Sequence, residues 1–198
     1  MHTLFAFPFS CSFAVKLELA RHDLPFEVHT VQRGPATRSE DAALHALNPK
    51  RKVPVLCTPE GETLTEIVSI LDHLDRTHGP ERTERERRRV LEDLAFIATE
   101  LHQSILGPLF DPDAPDATKA DVVERLLPPL AVILAERASS IEADDSPAAS
   151  YLLWGLLLLQ VGAREAVQAP ALIGFVGRQM ERPGVADLLQ VERRALRR

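Results

Sequence analysis

The sequence predicts an α/β domain over residues 1–79, with elements in the order βαβαββα, followed by an all-helical domain over residues 84–198. Three observations carry this reading. Short apolar runs broken by turn residues fill the first 80 positions. Long stretches of helical spacing fill the remainder. Between them, Gly79-Pro80-Glu81-Arg82-Thr83 is polar and holds both strong breakers, which marks a linker.

In chain order, Leu4-Phe5-Ala6-Phe7 reads as a buried strand that Pro8-Phe9-Ser10 ends, and Phe13, Leu17 and Ala20 then recur at helical spacing. The alternating segment Phe26 to Val31 is a second strand, and Arg38 to Leu47 is a short helix that stops at Asn48-Pro49. Val53-Pro54-Val55-Leu56-Cys57-Thr58 is a third strand. The turn Pro59-Glu60-Gly61-Glu62 leads into a short Thr63-Leu64-Thr65 strand, giving a hairpin. From Glu66 to His78, Ile67, Ile70, Leu71 and Leu74 fall at i, i+3, i+4 and i+7, one apolar helical face.

In the second region, Leu91, Leu94, Ala98, Leu101 and Ile105 keep helical spacing between Glu84 and Leu109. Val122, Leu126, Leu130, Ile133 and Leu134 do so from Asp121 to Ala138, where Pro128-Pro129 predicts a kink. Ser146 with Pro147 makes an N-cap and first-turn pair for the Leu-rich helix, and Pro170 and Pro183 read as first-turn prolines of later helices.

Composition narrows the partners. With 23 basic against 29 acidic residues and a net charge of −6, no general positive field exists to hold a phosphate backbone, so nucleic acid is not expected. Two cysteines make no disulfide framework and suggest no metal cluster. The start lacks a basic segment before its apolar run, so no secretion signal is read, and Tyr151–Leu159 is too short to span a bilayer. A cytoplasmic protein with free thiols and no membrane partner is the expectation.

Several residues are candidates for chemistry. Cys11 stands after a strand at the head of a helix, where unsatisfied N–H groups favour an anion and should lower a thiol's pKa; a lone cysteine is also a common small core residue. Ser10 and Ser12 beside it read as caps or donors. A cis bond at Val53-Pro54 would turn backbone groups outward toward an extended peptide-like ligand, although most such bonds are trans. Thr65-Glu66 opens a helix whose first N–H groups suit a ligand carboxylate, and the Glu66 side chain suits a ligand ammonium, or simply caps the helix. Thr99 and His102 lie on a strip beside the apolar stripe that would face a cleft; a satisfied structural histidine has the same look.

Taken together, Pro8-Phe9-Ser10-Cys11-Ser12, Asn48-Pro49-Lys50-Arg51-Lys52-Val53-Pro54, Leu64-Thr65-Glu66, Ile97-Ala98-Thr99-Glu100-Leu101-His102, Pro108-Leu109-Phe110-Asp111-Pro112 and Glu181-Arg182-Pro183-Gly184-Val185 resemble the cytosolic glutathione transferase family, most closely its bacterial beta class. The resemblance spans nearly the whole chain. It implies a thioredoxin-like N-terminal domain, glutathione as co-substrate, no metal, a homodimer, and a small electrophile or disulfide as second substrate. Cys11 is then the residue that forms a mixed disulfide with glutathione, with Ser10 and His102 at the catalytic centre. Val53, Pro54, Glu66, Ile67, Thr99 and Arg38 bind the tripeptide. The reaction is conjugation of glutathione to electrophiles or thiol exchange through Cys11. The alternative is a weak or inactive dimeric interaction module of the same fold. Ile67 supports the alternative, since the family usually has Ser or Gly there, and so do Arg51-Lys52 in place of Gly-Gln. Ser146-Pro147-Ala148-Ala149 lacks the acidic half of a capping box.

Overall fold

The protein is described from a computed structural model covering residues 1–32, 34 and 39–196. The chain divides into two compact units. Met1–Glu81 and the segment from Arg182 onward form one, and Arg82–Glu181 forms the other.

The first unit is a four-stranded mixed sheet with helices. Strand β1 (His2–Ala6) is central. It pairs in parallel with β2 (Phe26–Thr30) and antiparallel with β3 (Val55–Cys57), which pairs antiparallel with β4 (Thr63–Thr65), giving the order β2-β1-β3-β4. Register follows the two-residue period of the apolar pattern. Leu4 lies opposite Leu56 and Phe5 opposite Val55, so Leu4 and Leu56 share one face while Phe5 and Val55 share the other. The second face joins Phe5, Phe7, Val31, Leu44 and Val55 in a buried cluster. Helix α1 (Ser12–Arg21) packs against helix α3 (Ile67–His78), whose Ile67, Ile70, Leu71 and Leu74 are all buried as the spacing predicts. Helix α2 (Ala42–Leu47) begins later than the sequence suggests, at an Asp41 N-cap whose carboxylate accepts from the Leu44 N–H at 2.8 Å. The expected start at Arg38 lies outside the described residues.

The last helix, α10 (Val185–Ala195), packs on α1 within this unit, whereas the sequence groups it with the helical domain. A buried ion pair between Lys16 of α1 and Glu192 of α10 ties them. Pro183 is not in its first turn. Pro183 belongs to the bend before the helix, which Gly184 completes at φ 77°, a backbone region a β-carbon disfavours.

In the second unit, helix α4 (Glu84–Phe96) starts at Thr83. The Thr83 side chain accepts from the Glu86 N–H while Glu86 accepts from the Thr83 N–H at 2.7 Å, a reciprocal cap that the pattern Thr83-x-x-Glu86 already spells. The helix runs on through a π-helical segment, Ile97–Leu106, into α5 (Gly107–Phe110). Helix α6 (Asp116–Asp121) leads through a second π-segment, Val122–Leu126, into α7 (Leu127–Ala143). Pro128-Pro129 stand in the first turn of α7, directly after the π-segment Val122–Leu126, where the backbone hydrogen-bond pattern has already changed. Leu126 and Ile133, at the end of and after the second π-segment, are each 43% exposed where a stripe drawn at 3.6 residues per turn expects core; Leu91, in α4 ahead of both π-segments, is 43% exposed as well.

Helix α8 (Pro147–Gly162) is the buried Leu-rich helix. Ser146 precedes it in cap geometry, although its hydroxyl makes no cap bond. A 3₁₀ turn, Arg164–Val167, precedes α9 (Pro170–Met180), and Pro170 opens that helix as its spacing predicts. Gly155 lets α8 approach the π-segment. A β-carbon there would stand 2.5 Å from Leu101 Cδ2. Gly155→Ala is therefore expected to lower unfolding stability by about 1–3 kcal/mol through overpacking, read as a reduced urea midpoint with an unchanged slope.

Candidate functional site

In the first unit, the segment between β1 and α1 presents Cys11. Phe9 takes a φ of 58°, and the Ser10 hydroxyl donates to the Phe7 carbonyl at 2.9 Å and lies 2.9 Å from the Ser12 hydroxyl. Ser10 thus closes the turn. The Phe13 N–H donates to the Ser10 carbonyl at 2.9 Å and the Ala14 N–H to the Cys11 carbonyl at 3.0 Å, which starts the helix. Cys11 occupies the N-cap position without a side-chain cap bond, and its Sγ lies 4.0 Å from the Val53 carbonyl oxygen, toward which the thiol donates.

The Val53-Pro54 bond is cis. Its approach is braced by Asn48, whose side chain donates to the Lys52 carbonyl at 2.8 Å and accepts from the Lys50 N–H at 3.2 Å. The Ser39 N–H donates to the Arg51 carbonyl at 2.9 Å. Arg51 itself holds φ 57° and forks onto Glu40 at 2.9 and 3.1 Å. Val53 is half-buried just outside the ladder of β3, and Pro54 is buried.

Glu66 precedes α3 at φ 67°, exposed, with its carboxylate paired to Lys50. Its side chain makes no cap bond, so capping is not its role. Ile67 is buried, 8% exposed, and contributes packing; what it offers outward is its backbone N–H at the start of α3. Ile67→Ser is accordingly expected to cost about 1.5–3 kcal/mol of burial, seen as a lowered thermal midpoint.

Burial reverses one expectation. Cys11 is 7% exposed, and desolvation pushes its thiol up from 9.0 to about 12, with the Glu66 carboxylate adding to the rise; hydrogen bonds from the backbone at Cys11 and Ser12 oppose it only in part. The sequence predicts a thiolate near neutral pH. In the folded protein the helix N-terminus is present but loses to the low-dielectric surroundings, and Cys11 keeps its proton.

In the second unit, Thr99 and His102 both lie in the π-segment Ile97–Leu106. The Thr99 hydroxyl donates back to the Ala95 carbonyl at 3.1 Å. His102 Nδ1 is 2.6 Å from the Tyr151 hydroxyl, and the imidazole meets Trp154 edge-on with ring centroids 4.7 Å apart. Tyr151 and Trp154, which sequence spacing shows only as apolar helix residues, are what orient His102. An apolar cleft of about 760 Å³ lies elsewhere in this unit, lined by Val123, Pro128, Ala131, Val132 and Ala166.

The structure thus gathers Cys11, Val53, Pro54, Glu66 and Ile67 in the first unit, and Thr99 and His102 in the second. Arg38 lies outside the described residues. Sequence reading missed Lys50 as the partner of Glu66, although opposite charges on either side of a hairpin are a usable signal. It also missed Glu192, for which no local signal exists. Among the described residues, no group of three or more His, Cys, Asp or Glu is arranged to hold a metal, and no helix is long and apolar enough to cross a membrane.

A mixed β2-β1-β3-β4 sheet with a cysteine at the head of its first helix and a cis-proline before the third strand, in a chain that also carries a separate helical unit, defines a thioredoxin-like fold with an added all-helical unit. Residues 10–77 match the family described as "Glutathione S-transferase, N-terminal domain". The Glutathione S-transferase GstA of Escherichia coli O157:H7 is 30% identical over 96% of this chain and 98% of its own. The chain belongs to the glutathione S-transferase family. Its fold matches a glutathione transferase from Methylococcus capsulatus strain Bath, with 28% identity, 97% and 98% of the two chains covered and a TM-score of 0.82. A sphingomonad glutathione S-transferase complexed with glutathione and the beta-class enzyme of Sphingomonas chungbukensis each share 29% identity, 96% and 98% coverage and a TM-score of 0.81.

Proposed function

We propose that the protein is a glutathione S-transferase that binds the tripeptide across Cys11, the Val53-Pro54 backbone and the start of α3, and transfers it to a small electrophile. The observation that carries this reading is the placement of the Cys11 sulfur 4.0 Å from the Val53 carbonyl, in the same unit as the exposed Glu66 carboxylate and the Ile67 N–H. One peptide-like anion with an ammonium group would use all of these at once: its backbone at Val53, its carboxylate at the N-terminus of α3 and its ammonium at Glu66. Thr99 and His102 are the second unit's own candidates, with Tyr151 fixing the imidazole.

Of the two reactions open to the sequence, a protonated Cys11 favours conjugation. The glutathione thiol gives up its proton to solvent, its sulfur attacks the electrophilic carbon to form the C–S bond, and the leaving group departs with the pair of the bond that breaks. Cys11, still a thiol, donates its S–H toward that sulfur. Thiol exchange through Cys11 requires the residue to lose its proton first, because the thiolate is the attacking species. The reading as a weak dimeric interaction module gains nothing from the relatives, which include glutathione-bound transferases of the same fold.

A homodimer and a cytoplasmic setting complete the proposal. Leu91 on α4, 43% exposed, is a residue that such a dimer would cover. Retention on immobilised glutathione, with release by free glutathione, tests the central reading; passage through the column unretained would sink it. Light scattering at micromolar concentration tests the dimer.

A further inference from the structure

One buried carboxylate joins the C-terminal helix to the turn that presents Cys11. Glu192 of α10 is 2% exposed, and both of its oxygens are used within the first unit. Oε1 takes the Lys16 ammonium of α1, and Oε2 accepts the backbone N–H of Phe9. Phe9 lies beyond the end of β1, two residues before Cys11, and holds φ 58°, a conformation uncommon for a residue with a bulky side chain. Its ring stacks on Phe13 of α1 with centroids 6.0 Å apart, so the turn is pinned to α1 by the ring and to α10 by the amide.

We propose that Glu192 is a positioning residue for Cys11: by accepting the Phe9 N–H it holds the Phe9-Ser10 turn in the conformation that keeps the Cys11 sulfur against Val53. Lys16, paired with the other carboxylate oxygen, keeps it aimed. The contact is charge-assisted and shielded from water, which makes it stronger than an ordinary turn hydrogen bond. The consequence for catalysis rests on the transferase reading; the consequence for Cys11 exposure does not.

Two double variants separate the acceptor from the ion pair. Lys16→Met/Glu192→Gln and Lys16→Met/Glu192→Met both remove the pair, and apolar replacement of a buried pair is often tolerated. Only the glutamine retains an oxygen for Phe9. At matched thermal midpoints, the Met/Met protein is expected to label Cys11 with iodoacetamide about fivefold faster or more than the Met/Gln protein, read by mass spectrometry, with Cys57 labelling equal in both. It should also show a raised KM for glutathione with a smaller change in kcat. Equal Cys11 labelling in the two doubles would overturn the proposal. Absence of glutathione turnover in the unaltered protein would instead count against the transferase reading, while the labelling contrast still decides the role of Glu192. If the Met/Met protein does not fold, hydrogen exchange on the unaltered protein decides: a Phe9 amide as protected as those within α1 supports the proposal, and exchange at the rate of an exposed turn refutes it.

Discussion

Between pH 9 and pH 12 the protein is expected to lose about 4 kcal/mol of stability through Cys11 alone. The folded thiol is held up from 9.0 to about 12 by burial, so the folded state keeps its proton across this window while the unfolded chain releases it. The unfolded state then binds fewer protons than the folded one, and stability falls as pH rises, by up to about 1.4 kcal/mol per pH unit. Below pH 9 both states carry the thiol and the effect vanishes. Cys11→Ala should abolish this component, so urea unfolding at pH 8 and pH 10 should show a wild-type decrease larger by about 1 kcal/mol than the variant's. Parallel behaviour of the two proteins would mean that water reaches the sulfur. The same burial predicts that iodoacetamide labelling of Cys11 in the ligand-free protein has its midpoint above 9, the reverse of what a cysteine at a helix start suggests by itself.

Lys16→Met is expected to destabilise the protein by about 3–5 kcal/mol, because it leaves the Glu192 carboxylate buried without its counter-charge. The two side chains are 9% and 2% exposed, so little solvent is available to compensate. A surface pair would cost far less, at most about 1 kcal/mol. Replacing Glu192 by Met as well should recover most of the loss, since desolvation of an isolated charge, and not loss of the attraction, is the dominant cost. Chemical denaturation of the single and double variants measures both. A single variant within 1 kcal/mol of wild type would show that α10 does not seal the pair from water.

Much of the first unit was legible because its signals are local. Alternation marks Phe26–Thr30 as a strand, the 3.6-residue spacing of Ile67, Ile70, Leu71 and Leu74 marks α3, and Pro59-Glu60-Gly61-Glu62 marks the hairpin turn. The helical register of the second unit was less legible. Backbone hydrogen bonds rearranged over Ile97–Leu106 and Val122–Leu126 shift the phase of every later side chain, and no residue type announces a π-segment. Thr83-x-x-Glu86 is a local signal like those of the first unit, since its reciprocal cap needs only residues three apart.

The sequence by itself determined the βαβαββα order of the first seven elements, the position of Cys11 at a helix start and the proline before β3, because each depends on neighbours a few residues away. Tertiary structure alone decided the rest of the site's character. Cys11 keeps its proton because of everything packed around it, and desolvation is a property of that surrounding volume. His102 finds its orientation in Tyr151, on another helix of its unit. Glu192 reaches Lys16 and Phe9 across more than 170 residues of chain, a separation at which no spacing rule operates and only the fold brings charge and amide together.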